Sequence, residues 1–338
     1  MAKPTIIVIG AGVAGLTSAL ELADRGLAVE VLERGHALGE GSCSWMAGGM
    51  LAPWCERATT EPEVAQWGAP AIAWWAERFP ETVRKGSLVV AQPRDLPDLT
   101  RFAERTERFD WLDADGITAL EPDLSGRFRR ALFFPDEAHL DPRRALAALA
   151  KRLHDRGVEI RFGVELAPQD ARADVVVDCR GLAARGALPD LRGVRGEMVV
   201  VRSPDVSLQR PVRMLHPRLP LYIVPRGNGL FMIGATMIES ERRGPVSVRS
   251  AVELLNAAYA LHPAFGEAEI VELGADLRPA FPDNLPAVRR SGPVLHANGL
   301  FRHGFLLAPA LAQRTAEAVL SMLQPETNHA DLPQRRRA

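Results

Sequence analysis

TIIVIGAGVAGLTSALELADRGLAVEVLER, residues 5–34, reads as strand, tight turn, helix and strand. Its opening residues 5–9 are β-branched throughout, as a central parallel strand requires. The apolar spacing of Val13, Leu16, Leu20 and Leu22 suits a helix laid on that sheet. Gly26 stands where a helix C-cap belongs, and the strand pattern restarts over residues 28–32. Gly10, Gly12 and Gly15 spell G-x-G-x-x-G in this context. The first lets the chain turn sharply, the second admits a pyrophosphate against the backbone, and the third lets helix and strand pack closely. The helix N-terminus offers unpaired N–H groups and a positive dipole end to the phosphates. Glu33 ends the second strand, placed to accept hydrogen bonds from a ribose diol. The expectation is a dinucleotide-binding α/β fold.

No second G-x-G-x-x-G follows, so the dinucleotide is either NAD used as a co-substrate or FAD held permanently. The chain has 338 residues, enough for one large α/β domain or two that share a core, since single cores stop growing near about 250–300 residues. Charged residues make up 25% and the formal net charge is −1, so no global field draws nucleic acid or an anionic membrane. The basic residues 335–337 read as a solvated tail. Cys43, Cys55 and Cys179 form no C-x-x-C pair and no even framework, which argues against disulfides and structural zinc and fits a reducing cytoplasm. Residues 5–10 are too short for a signal segment, and no run approaches the roughly 20 apolar residues of a membrane span. A soluble, cytoplasmic protein without a metal site is expected.

GSCSWMAGGMLAPWCE, residues 41–56, is rich in small residues that let backbone N–H groups approach a bulky planar ligand. With the N-terminal fingerprint, this stretch resembles the glycine oxidase (ThiO) branch of the D-amino-acid oxidase family, which are FAD enzymes. The resemblance spans roughly residues 4–322. GSLVVA (86–91), EPDLSG (121–126), FFPDEAHLDPRRALAAL (133–149), VRGEMVVV (194–201), YIVPRGNGLFMIGATM (222–237), LRPAFPDNLP (277–286) and GLFRHGFLLAPA (299–310) all look like family segments. Two departures stand out. The family ending LLAPATG appears as LLAPALA, with Leu311 and Ala312, and Cys43 and Trp45 replace small hydroxyl residues or alanine. Both are places where the flavin pocket is expected to differ in shape.

Carried over residue by residue, the resemblance implies that Val13, Ala14, Glu33 and Arg34 hold the adenosine and pyrophosphate end of FAD. Cys43, Ser44, Gly48, Gly49 and Met50 would line the ribityl chain and the ring, and Val164 would contact the adenine. Leu300, Phe301, Arg302, His303, Gly304, Phe305 and Leu306 would pass along the pyrimidine side. No cysteine lies near residues 299–310, so the FAD is expected to be non-covalent.

Oxidising an α-amino acid moves a hydride from its α-carbon to flavin N5. The flavin supplies the redox chemistry, so no catalytic side chain is required if the amine reacts neutral. The carboxylate does need a partner, and an arginine fork fixes it bidentately. By resemblance Arg278 is the main clamp. Arg302, a lone cation among Phe301, Phe305, Leu306 and Leu307, is expected beside it, meeting substrate, carbonyl or flavin oxygen. The Tyr222 hydroxyl is expected to hydrogen-bond the carboxylate, Met50 and Met237 to wall the pocket, and His303 to position backbone.

Asp141 followed by Pro142 is a good helix start, with a helix to about Asp155 and a strand over 158–162. The expected organisation is a discontinuous FAD-binding Rossmann-like domain, of the glutathione-reductase type, from 1–80, 141–195 and 276–325. An antiparallel-sheet substrate domain would come from 81–140 and 196–275, with 326–338 a flexible tail. The expected activity is oxidation of glycine by O2, releasing peroxide and supplying the imine for the thiazole of thiamine. A homo-oligomer, such as a tetramer, and hand-over to thiazole synthase are expected with it. A D-amino-acid or sarcosine-type oxidase, and a dehydrogenase passing electrons to a quinone or carrier, are the alternatives.

Overall fold

A computed structural model of the chain describes residues 4–216 and 221–324; the expected tail 326–338 lies outside the described residues. Two large sheets and a two-stranded ribbon organise it. The first sheet has six strands in the order Ala287–Ser291, Val294–Asn298, Val175–Asp178, Thr5–Ile9, Ala28–Glu33, Glu159–Phe162. Its pairs are parallel except the edge hairpin of Ala287–Ser291 with Val294–Asn298. Thr5–Ile9 therefore lies between a strand that follows it directly and one that returns late in the chain. That is the switch point of a doubly wound sheet, and ligands bind in the crevice beyond the strand ends there. Gly10 and Cys179 sit at that crevice, with the Cys179 N–H donating to the Ile9 carbonyl at 2.8 Å.

The helices Val13–Asp24, Pro142–Asp155 and Gly304–Leu323 contribute to one core with this sheet, through Leu16, Leu20, Leu149, Leu153, Leu307 and Leu311. Asp141 caps the second helix by accepting from the N–H groups of Arg143 at 2.8 Å and Arg144 at 3.3 Å, as the Asp-Pro start predicts. Leu311 and Ala312, where the family ending differs, are fully buried in the last helix rather than placed on the crevice.

The second sheet has eight strands in the order Glu269–Ala280, Arg192–Arg202, Leu230–Gly234, Leu221–Gly227, Val212–Leu215, Ser87–Ala91, Arg130–Phe134, Asp110–Asp113. It is not wholly antiparallel as expected: Val212–Leu215 runs parallel to Ser87–Ala91. Parallel neighbours need a long crossover. Here the chain between them passes through the helix Pro142–Asp155 and the strand Val175–Asp178 of the first sheet before returning. The segments expected to hold only strands and turns also carry the helices Leu96–Ala103, Ala114–Leu120 and Val248–Leu261. Residues 195/196 and 275/276, taken as boundaries, each fall inside a continuous strand. Those two strands pair from Arg192↔Ala280 to Arg202↔Glu269. Their shared end delivers Arg278 to the crevice of the first sheet.

Candidate active site

One groove runs from the glycine loop to the second sheet. Its floor explains the three glycines. Gly10 has φ 106°, and a Cβ there would lie 2.8 Å from the Cys179 carbonyl oxygen. A Cβ on Gly15 would overlap the Gly10 carbonyl oxygen, so helix and strand touch backbone to backbone. Gly12 caps the helix without any side-chain hydrogen bond, so no cap of its own blocks a phosphate from the helix end. Glu33 accepts from the N–H groups of Ala11 at 2.6 Å and Gly35 at 2.8 Å, one on each carboxylate oxygen. Each oxygen keeps a lone pair for a ribose hydroxyl. Ser44 Oγ accepts from the Val13 N–H at 3.1 Å, holding the small-residue loop against the helix start. These residues fit a dinucleotide.

Among the expected site residues, Gly10, Gly12, Val13, Ala14, Glu33, Arg34, Cys43, Ser44, Gly48, Val164, Tyr222, Arg278, Leu300, Phe301, Arg302, Gly304 and Phe305 line this groove. Phe301 does so with φ 49°, unusual for a bulky residue, its N–H donating to the Pro279 carbonyl at 2.9 Å. The others lie elsewhere. Gly15 packs behind the loop, and Gly49 (φ 76°) lies against Leu140, whose N–H donates to the Gly49 carbonyl at 2.9 Å. Met50 is paired with His139 in the ribbon and packs on a satellite cluster around Cys55 and Phe134. Leu306 is buried against Gly68, and His303 caps the last helix. Met237 is 56% exposed, contrary to its expected place in the pocket wall. The extended alternation of the segment explains this: Thr236 turns inward and its neighbour faces solvent.

Arg278 is half-buried at the groove's inner end, and its Nη1 donates to the Thr236 carbonyl at 3.0 Å. A Cβ on Gly196 would overlap its guanidinium, so that glycine, on the neighbouring strand, makes the space for the fork. Burial lowers the Arg278 pKa from its ordinary value, though an arginine stays charged at any working pH. No Asp or Glu is paired with it among the described residues, where the buried guanidiniums Arg213 and Arg195 each have one. A half-buried cation in that state calls for an anionic ligand.

Arg302 differs from expectation. Its Nη2 is held by Glu56 and by Thr59 Oγ1 at 3.1 Å, so that nitrogen already has its partners within the protein. Glu56 also binds buried Arg213, and the His303 Nδ1 stands 3.9 Å away. Burial alone would raise the Glu56 carboxyl; Arg213 and Arg302 outweigh it and hold the group well below the carboxylate range. Neither Glu56 nor Arg213 was singled out from the sequence. Arg213, alone between Val212 and Met214, carries the same signal as Arg302. Arg180, also missed, lines the groove beside Cys179 and grips buried Asp178 through two 2.9 Å bonds.

Burial sets the other titrations nearby. It raises the Tyr222 hydroxyl, which stays a donor at neutral pH, and pushes the Cys43 thiol up to about 12. It lowers His303 to about 4, so the ring is neutral at working pH. Behind Glu56, burial raises Glu137 to about 8, although Ser87 Oγ and the Cys55 N–H, at 2.7 Å, both donate to it. The folded state thus holds one proton more than the unfolded chain between the ordinary carboxylate pKa of 4.5 and about 8. Stability from this group is present below 4.5 and is lost as pH rises through that window. Glu137→Gln abolishes the titration while keeping an acceptor for Cys55. Its melting temperature relative to the native protein should climb by several degrees between pH 5 and 8 in thermal melts; a constant offset would contradict the assignment.

Residues 5–318 match the model of the family described as FAD dependent oxidoreductase, DAO. The chain is 57% identical over 323 residues to the thiamine biosynthesis oxidoreductase ThiO of Rhizobium etli, across 95% of this chain and 98% of that one. It is 28% identical over 361 residues to a bifunctional protein ThiO/ThiG of Synechocystis, covering 98% of this chain but 54% of that protein. The crystal structure of glycine oxidase from Geobacillus kaustophilus is similar with a TM-score of 0.79 and 27% identity, over 94% of this chain and 95% of that one. The match takes in the glycine loop, the Arg278 strand and the start of the last helix together, and the chain belongs to the D-amino-acid oxidase (DAO) family of FAD-dependent oxidoreductases.

Proposed function

We propose that this protein is a glycine oxidase, converting glycine, O2 and water to glyoxylate, ammonia and H2O2, with the imine available for the thiazole of thiamine. The observation that carries the reading is Arg278: a half-buried guanidinium with no carboxylate of its own among the described residues, at the inner end of a dinucleotide groove and close enough to Tyr222 for its charge to act on that hydroxyl. FAD, when bound, accepts the hydride of the substrate's α-carbon. Gly10, Gly12, Glu33 and Ser44 would hold its adenosine and pyrophosphate end, and Cys43, Gly48, Leu300 and Phe301 its ring end.

Arg278 would fork onto the substrate carboxylate, and the Tyr222 hydroxyl would donate to the same group, fixing the α-carbon in one orientation. Gly48 supports the tyrosine, since a Cβ there would lie 2.9 Å from its ring. Tyr222, Cys43 and His303 all titrate far from neutrality, so none of them takes the ammonium proton. With no base among these three, the amine would arrive neutral. The pH profile of kcat/KM should then rise with the ionisation of the amine itself, and its inflection should move when a less basic amine is used. An inflection that stays fixed would point to an enzyme group.

The six-stranded part would bind FAD and the eight-stranded part the substrate. The ThiO/ThiG relative, of which a chain like this one is about half, supports hand-over of the imine to a thiazole synthase. That hand-over would take place in the cytoplasm, with the protein a homo-oligomer. The test is aerobic incubation of the FAD-loaded protein with glycine. Peroxide, ammonia and trapped glyoxylate should form in equal amounts, and turnover of bulky D-amino acids or of none would remove the assignment.

A further inference from the structure

Four charged side chains surround the Tyr222 hydroxyl closely enough to act on its titration: Arg278, Glu56, Arg213 and Arg302. They fall into two sets. Arg278 has a backbone carbonyl for a partner. Arg213 and Arg302 share one carboxylate, each bound to a different oxygen of Glu56. The sharing comes from three separate elements. Glu56 lies in the short helix Pro53–Arg57. Arg213 is the cross-strand neighbour of Tyr222, and Arg302 precedes the last helix. Arg302 lines the groove while its guanidinium is turned back onto Glu56. The arrangement leaves a cation at the groove wall whose Nη2 a carboxylate behind it already holds.

Building on the glycine oxidase reading, we infer that Glu56 sets the charge of the substrate the site accepts. By holding the Arg302 guanidinium, it leaves Arg278 as the one cation around the Tyr222 hydroxyl, among the described residues, that no carboxylate holds. A substrate with one carboxylate is met at the Tyr222 end of the groove by Arg278. A substrate with a second anionic group finds the Arg302 Nη2 already bound to Glu56 and must displace that carboxylate to use it. Glu56 is thus a specificity-determining residue acting through Arg302. Neutralising it would turn Arg302 into a second anion-binding group and convert a monocarboxylate site into one that accepts diacids.

The test compares ligands of equal shape that differ by one charge. Malonate and its monoamide, malonamate, are titrated into the FAD-loaded protein and followed by the perturbation of its visible absorption, a readout that needs no turnover. Iminodiacetate and its monoamide are then compared as substrates by kcat/KM. The native protein should favour the monoamide in both pairs. Glu56→Gln, and Glu56→Gln combined with Arg213→Met so that no buried cation is left unpaired, should each shift the preference toward the diacid by at least about tenfold, while Glu56→Asp should not. A native protein that already binds malonate more tightly than malonamate would overturn the inference without any variant. So would FAD-loaded Glu56 variants whose diacid preference is unchanged. If neither glycine nor either substrate of the second pair is oxidised, the glycine oxidase reading has failed, and the malonate titration still decides the role of Glu56.

Discussion

Arg278→Met is expected to lower kcat/KM for glycine by roughly 30- to 4,000-fold, the equivalent of about 2–5 kcal/mol for truncating one side of a buried charge pair. The methionine keeps much of the stem and removes the fork. The melting temperature should move little or rise, because Arg278 is half-buried with a carbonyl for a partner and no carboxylate among the described residues, and removing it strands no charge there. Collapse of activity without loss of stability separates a ligand-directed arginine from a structural one. Arg213 supplies the contrast: its removal strands Glu56 in part and should destabilise the fold. Steady-state kinetics and thermal melts on the same preparations check both halves. Retained turnover at unchanged KM would remove Arg278 from the site.

The second large effect is expected at Gly15. An alanine there puts its methyl into the Gly10 carbonyl oxygen, which belongs to the turn at the phosphate position and cannot step aside as a side chain would. Separating helix from strand to make room would open the loop, and overpacking of this kind costs about 1–3 kcal/mol or more. Gly15→Ala should emerge from desalting with little bound FAD, its affinity reduced at least about 100-fold. Two neighbouring glycines calibrate the effect. Gly12→Ala meets Ser42 Oγ at 3.2 Å and Ser44 Oγ at 3.3 Å, both movable, and should weaken FAD less. Gly26→Ala meets nothing within 4 Å, but its φ of 80° strains any side chain, so it should cost about 1 kcal/mol of stability and leave FAD binding intact. Flavin-to-protein absorbance ratios distinguish the three.

The parts of this molecule legible in the sequence are those written locally. The strand–loop–helix–strand unit and the Asp141 cap each need only neighbours within a few residues, and the register Thr5↔Ala28 to Ile9↔Leu32 follows from them. Arg302 shows the opposite case. Its isolation among apolar residues signals a cation in need of an anion, and in the half-buried side chain that anion is Glu56, 246 residues away. Nothing in the local pattern around Glu56 marks it as that partner. Met237 failed for a different reason. A period of two places Thr236 and Met237 on opposite faces, and which of them faces inward depends on the pairing of Arg195 with Ile238. The parallel pairing of Val212–Leu215 with Ser87–Ala91 was likewise hidden, because a crossover through the other sheet leaves no trace in either strand.

Anaerobic addition of glycine to the FAD-loaded protein tests the central claim most directly. The visible flavin absorption should bleach, recover when air is admitted, and release one peroxide per flavin as it does so. The Arg278→Met protein, equally loaded, should not bleach at the same glycine concentration. An absorption spectrum indifferent to glycine in the native protein, or one that bleaches as readily without Arg278, would contradict the account.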